Sequence, residues 1–169
     1  MEQNIDHKIE FKKKLINIYN NNKIKIYLIV CTIVLSVISL FILKEINEKK
    51  NNLASEKYIM AGLKINSGNK KEAANLLEEI ILNKNKFYSI LSLNKIIEEN
   101  LEISEKKIIN YFEIIEDINK SKEQNDIIVF KKALYLIKNS KTEEGRKLLE
   151  TLLENDSQLK KLVQEVLLK

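Results

Sequence analysis

The chain of 169 residues has no proline, no tryptophan, three glycines, one cysteine, one histidine and one arginine. A collagen-like chain needs glycine and proline in quantity, and a disulfide-stapled fold needs paired cysteines, so both are excluded. The same shortage argues against a turn-rich β-sandwich or barrel. His7 lies in a basic N-terminal segment and Cys31 inside an uncharged run, so no Cys/His nucleophile pair and no zinc set forms within one chain. Gly62, Gly68 and Gly145 are scattered, which leaves no glycine-rich phosphate loop. Carboxylates are plentiful, but Glu78-Glu79, Glu98-Glu99 and Glu143-Glu144 fall on polar helix faces or loops. Pairs of that kind are ordinarily solvated charge rather than an acid/base dyad. The expectation is a protein that is not an enzyme, with no cofactor, metal or small-molecule substrate.

What is present in excess is isoleucine (27), asparagine (20) and lysine, the bias an AT-rich genome imposes. The pI of 9.1 therefore does not argue for a nucleic-acid partner. Residues 1–25 carry six lysines against three acids, whereas residues 44–169 carry 23 basic and 21 acidic side chains. In the long segment acids and lysines interleave as on solvated helices, without the basic stripe that grips phosphates. No nucleic-acid partner is expected. The sequons Asn119-Lys120-Ser121 and Asn155-Asp156-Ser157 matter only in a glycosylating secretory pathway.

From Ile26 to Leu43 there are 18 residues without a charge, 13 of them Ile, Leu, Val or Phe, bracketed by Lys25 and Lys44. At ~0.3–0.6 kcal/mol each on the insertion scale, these contribute about −6 kcal/mol, well beyond the cost of three hydroxyl residues. The run spans roughly 27 Å as a helix, close to the thickness of a bilayer core. A cleaved signal would need a shorter apolar run and a small-x-small exit, which Ile42-Leu43-Lys44-Glu45 lacks. A lipidated cysteine would end the apolar run, but Cys31 follows Val30 and precedes twelve more uncharged residues. Cys31 is then an apolar filler and the segment an uncleaved anchor.

Lys8, Lys12, Lys13, Lys14, Lys23 and Lys25 precede the span, against Lys44, Lys49 and Lys50 after it. This bias predicts an inner-membrane, single-pass protein with its N-terminus in the cytoplasm and its C-terminal domain in the periplasm. Ile9, Ile16 and Tyr19 among the lysines have two readings, a short interfacial helix or a basic tail that only sets topology. Thr32 and Ser36, four apart, either seat a second membrane helix or bond carbonyls of their own helix.

Beyond Lys44 the apolar spacing is helical, and one pattern recurs three times. Ala73, Leu76, Leu77 and Ile80 stand at offsets 0, 3, 4 and 7. Ile108, Tyr111, Phe112 and Ile115 repeat them 35 residues later, and Gly145, Leu148, Leu149 and Leu152 after another 37. Each set draws one apolar stripe along a helix. A polar loop and an earlier apolar segment (53–65, 87–97 and 127–137) precede each set. Ser104 and Thr142 are placed to cap the second helices. The pattern predicts an all-α chain: basic segment 1–25, transmembrane helix 26–43, and helical repeats over 44–169. The repeats form three hairpins closed by a last helix that begins near Asp156-Ser157 and carries Leu159, Leu162, Val163, Val166 and Leu167.

The run Ser67-Gly68-Asn69-Lys70-Lys71-Glu72-Ala73-Ala74-Asn75-Leu76-Leu77-Glu78-Glu79-Ile80 resembles the turn and second helix of a tetratricopeptide repeat. Glu72-Ala73 and Glu144-Gly145 match its acid followed by a small residue, and Ala61 and Ala133 match the small position twelve residues earlier. Lys57 and Lys64 depart from the motif where it takes large apolar residues. Ile96 and Ile108 occupy both small positions of the middle repeat, so the first two pairs are expected to pack irregularly.

A lysine-rich N-terminus, one anchor and a short run of divergent repeats together resemble the bacterial ancillary Sec-translocon subunit family. The resemblance implies an exported repeat domain with proteins as partners: translocon subunits, envelope chaperones or unfolded client segments. In this repeat class the first helices line a binding surface, which would put Tyr58, Ile65 and Phe130 in the groove; the same residues also suit a core, the preferred reading for Phe130. The same architecture serves an envelope or cell-division scaffold, or an organelle-surface receptor facing the cytoplasm.

Overall fold

The computed structural model describes residues 3–119 and 121–168; the side chains of 3–12, 15–20 and 26 fall outside that description. The interfacial set Ile9, Ile16 and Tyr19, the lysines Lys8 and Lys12, His7, and Lys120 of the first sequon thus lie outside the described side chains. Among the described residues the chain is all-α, with seven helices and no strand. It divides into two compact units, 1–49 and 50–169.

Helix α1 (Gln3–Asn66) is interrupted only at Asn22, whose backbone leaves the helical region. The break falls just before the uncharged run, and the absence of proline lets the helix continue beyond it. In unit 1 the apolar side chains described from Tyr27 to Leu43 are all exposed, Phe41 and Leu40 by about two-thirds. This helix is long and apolar enough to cross a membrane, and none of its most apolar window is buried in protein.

Unit 2 begins with the last part of α1 and continues through α2 (Lys70–Leu82), α3 (Tyr88–Glu98), α4 (Glu105–Ile118), α5 (Lys122–Lys138), α6 (Thr142–Glu154) and α7 (Lys160–Leu167). Three helical pairs follow one another as the repeated stripe predicts. Ala73, Leu77 and Ile80, then Ile108, Tyr111, Phe112 and Ile115, then Gly145, Leu149 and Leu152 are all buried. One apolar cluster extends from Ala54 through α2, α3 and α4 to Ile128, and a second joins Ala133, Leu149, Leu152 and Val163. Helix α5 contributes to both.

Four turns share one stop signal. The second residue after the helix takes a left-handed conformation, and the next amide bonds back five residues: Asn69 N to Lys64 O, Leu101 N to Ile96 O, Lys141 N to Leu136 O and Ser157 N to Leu152 O. The left-handed residues are Gly68, Asn100, Ser140 and Asp156. Glycine is favoured there because it has no Cβ, yet this glycine-poor chain places it at only one of the four.

Two expectations about detail fail. Ser104 does occupy the N-cap position of α4, its carbonyl receiving the Lys107 and Ile108 amides, but its hydroxyl makes no capping bond. Thr142 lies inside α6: the tight turn at Ser140 brings Lys141 to the helix start. The side chains that do cap are Asn69, to the Glu72 amide, and Ser121, to the Gln124 amide. In α7, Val163 is fully buried and Leu159, Val166 and Leu167 pack on the second cluster, but Leu162 is half exposed. Arg146 donates to the Leu167 carbonyl at 3.4 Å, tying this last helix to α6.

The three pairs do not pack alike. In the third, α5 and α6 approach closely at Ala133 and Gly145, the two small residues. In the first, Ala61 and Ala73 are fully buried, while Lys57 and Lys64 reach across to the carboxylates of Glu79 and Glu72. In the middle pair Ile96 and Ile108 are both buried where small residues would be needed, and the connection spans 99–104. Helix α3 packs more extensively on α2 than on its own partner α4. Ser89 and Ser92, fully buried, let it approach α2, and the Ser89 hydroxyl donates to Ile80 O at 3.2 Å.

Candidate functional site

Because α3 leans on α2 while α5 leans on α6, a cleft opens between α3 and α5, the first helices of the second and third pairs. It encloses about 260 Å³ and is lined by Asn94, Ile97 and Glu98 from α3 and by Lys131, Leu134, Tyr135 and Lys138 from α5. The offsets explain the lining. Lys131, Leu134, Tyr135 and Lys138 lie 0, 3, 4 and 7 along one helix, and Asn94, Ile97 and Glu98 lie 0, 3 and 4 along the other, so each set shares a face.

Ile97 and Tyr135 are half-buried and Leu134 is more open, which gives an apolar floor with polar ends. Lys131 Nζ donates to Asn94 Oδ1 at 3.0 Å and bridges the two walls. The Tyr135 ring rests 6.0 Å from that of Phe112, tilted by 48°. Burial raises the Tyr135 phenol above its ordinary value and the Glu105 carboxylate raises it further, against the opposing charge of Lys141. The cleft therefore presents a neutral hydroxyl, one amide, two ammonium groups and one carboxylate around apolar carbon.

Helix α5 is fixed from behind. The Lys132 ammonium, 13% exposed, lies 3.1 Å from Glu116 and 3.9 Å from Glu113 on α4. A second cavity of about 370 Å³ lies between α2 and α4, lined in part by Glu78, Ile103 and Lys107. There Lys107 and Glu78 pair at 2.7 Å, so the opposite charges satisfy each other. Among the described residues no group of three or more His, Cys, Asp or Glu side chains is placed to hold a metal ion.

None of Tyr58, Ile65 and Phe130 lines the α3/α5 cleft. Tyr58 is half-buried, its ring 5.9 Å from that of Tyr88, and Ile65 packs half-buried against the first cluster. Phe130 packs on the second cluster. The Thr32 and Ser36 hydroxyls each donate to a carbonyl of their own helix, Leu28 O and Thr32 O, at 2.8 Å. The cleft residues left a trace in sequence. Helix α5 carries more apolar side chains than one stripe needs, and Leu134 with Tyr135 forms a second stripe between two lysines. No protein-family model, curated protein or solved structure matches this chain.

Proposed function

We propose that this chain is a membrane-anchored protein-binding module rather than an enzyme. Residues 26–43 cross the inner membrane once, the lysine-rich N-terminus stays in the cytoplasm, and tetratricopeptide-like hairpins work in the periplasm. The reading follows from the uncharged run with its lysine asymmetry, together with the resemblance to the ancillary Sec-translocon subunit family. The observation that carries the binding role is the open, apolar-floored cleft between two first helices of a hairpin series. In helical-repeat proteins a surface of this kind takes partner polypeptide by shape and a few polar contacts. Anchoring keeps that surface near the exit of a translocation machine and raises the effective concentration of weakly bound clients without catalytic groups. Its partners are then translocon subunits, envelope chaperones or unfolded client segments.

A photo-crosslinking residue at Leu134, activated in native membranes, tests the role. Adducts with translocon subunits or envelope chaperones are expected; adducts confined to division or wall-assembly proteins would favour the scaffold reading. Protease shaving of intact cells and of opened spheroplasts tests the compartment. Digestion of unit 2 only after the outer membrane is breached is expected, and protection until the inner membrane is lysed would favour a cytoplasm-facing receptor.

A further inference from the structure

The charges around the cleft are unequally shared between its walls. The α5 wall carries Lys131 and Lys138, both exposed, one at each end of the Leu134–Tyr135 floor. Lys131 spends one donor on a neutral amide, Asn94, and the Lys138 side chain makes no hydrogen bond or ion pair among the described residues. The α3 wall carries one carboxylate, Glu98, which forms no ion pair among the described residues although its charge acts on Lys95 of the same helix. Six lysines elsewhere in unit 2 pair across helices with glutamates or an aspartate: Lys57 with Glu79, Lys64 with Glu72, Lys84 with Asp117, Lys107 with Glu78, Lys132 with Glu116 and Lys141 with Glu105. Lys71, Lys86, Lys106, Lys147, Lys160 and Lys161 are exposed without an ion pair among the described residues, so what sets Lys131 and Lys138 apart is the apolar floor between them. At the cleft, cations stand over apolar carbon with no carboxylate joined to them.

We propose that the cleft takes an acidic amphipathic helix of a partner protein, one that places carboxylates seven residues apart on either side of a large apolar side chain. The spacing follows from α5 itself. Lys131 and Lys138 are seven residues apart, or about 10.5 Å along a helix, two turns. A helix lying along α5 and α3 presents positions i and i+7 at that interval, with i+3 and i+4 between them facing Leu134, Tyr135 and Ile97. An extended strand advances roughly 3.3 Å per residue and returns a side chain to one face every second residue, so it meets that interval poorly. Glu98, on the opposite wall, receives a lysine or a hydroxyl on the far flank of the same helix. This assignment rests on the protein-binding role proposed above and names the chemistry of the bound segment.

The test uses the full chain in detergent or nanodiscs with three fluorescent synthetic peptides of equal length and helical propensity. One has Glu at i and i+7 around Leu at i+3 and i+4, one has Lys at those two positions, and one is a scramble of the acidic peptide. Fluorescence anisotropy is expected to rank the acidic peptide first, with affinity falling as NaCl rises from 50 to 500 mM. Lys131→Glu with Lys138→Glu is expected to weaken the acidic peptide by roughly tenfold and to improve the basic one, the behaviour of opposed rim charges. Should the reversed pair disturb folding by circular dichroism, Lys131→Gln with Lys138→Gln carries the test, with a loss of about threefold to fivefold expected. Equal binding of acidic and basic peptides, no saturable binding of any peptide, or indifference to these substitutions overturns the proposal. The Leu134 crosslink separates the two failures. Adducts to a defined partner with no charge preference leave the binding role standing and remove the acidic helix, whereas loss of both removes the binding role.

Discussion

Gly145 lies so close to Ala133 that a Cβ on the glycine would come within 2.7 Å of the Ala133 carbonyl oxygen and 2.6 Å of Ile137 Cγ1. The backbone carbonyl cannot swing aside, so α5 and α6 must separate to admit a methyl group. Gly145→Ala gains about 1 kcal/mol of helix propensity but suffers overpacking of about 1–3 kcal/mol. A net loss of up to about 2 kcal/mol is expected, read as a lower Tm of the full chain in detergent. Gly62→Ala is the control, since nothing stands within 4 Å of its added Cβ. That variant is expected to gain about 0.5–1 kcal/mol.

The middle pair makes the opposite prediction. If Ile96 and Ile108 were departures from a small-residue contact waiting to close, alanine at both would tighten the pair. They are instead almost fully buried in the first apolar cluster. Ile96→Ala and Ile108→Ala are each expected to cost about 2–5 kcal/mol, as large-to-small core changes do. Urea titration of the single variants checks this, and a gain in stability from either would overturn the packing described.

The fold was legible where one apolar stripe sufficed. Offsets 0, 3, 4 and 7 located α2, α4 and α6 and their buried faces, because each of these helices has one neighbour-facing side. The irregular approach of α3 was legible only in part: the isoleucines at the two small positions foretold a loose middle pair. That α3 would turn to α2 instead depends on Ser89 and Ser92, which look like surface polar residues until the partner helix is known. The cleft escaped for a related reason. Helix α5 serves two clusters and a surface at once, so its apolar residues encircle it and no single stripe marks the open face. Tyr58, Ile65 and Phe130 stand on first helices, the face that the tetratricopeptide resemblance assigns to a groove; Tyr58 and Ile65 pack on the first cluster and Phe130 on the second, as the core reading of Phe130 has it.

Four of the five left-handed residues that follow helices carry a side chain: Lys84, Asn100, Asp156 and Ser140, the last with φ 65°. A non-glycine residue in that region bears a cost of about 1–2 kcal/mol, partly offset in a glycine variant by greater freedom of the unfolded chain. Ser140→Gly is therefore expected to stabilise the α5–α6 turn by about 0.5–1 kcal/mol, and Gly68→Ala, at φ 80°, to destabilise its own turn. Differential scanning calorimetry of the two variants should show Tm moving in opposite directions.

The Glu78–Lys107 pair and Tyr111 give the α2–α4 contact a pH dependence of known sign. Burial by itself would raise the Glu78 carboxyl, but Lys107 and Tyr111 outweigh it and hold the group below the ordinary 4.5. A depressed acid adds stability above 4.5 that is lost as pH falls through its folded value. Burial, with the Glu78 carboxylate adding to it, pushes the Tyr111 phenol well above the ordinary 10.0. A raised group adds stability that is intact below 10 and drains away as pH climbs toward the folded value. Thermal melts across pH 3–11 are expected to fall off at both ends. Glu78→Gln should flatten the acid limb, and Tyr111→Phe the alkaline one.

Cys31 tests the membrane reading directly, because it is the chain's one thiol and lies exposed within the uncharged run. In water an exposed thiol reacts with maleimides through its thiolate. In a bilayer core the charged form is strongly disfavoured and a polar reagent does not enter. A membrane-impermeant maleimide is therefore expected to leave Cys31 unlabelled in native membranes and to label it after SDS solubilisation. A cysteine introduced at Asn69, in the exposed turn before α2, should label without detergent once the compartment of unit 2 is open to the reagent. Labelling of Cys31 at the same rate as that turn in intact membranes would mean that the apolar helix does not lie in lipid.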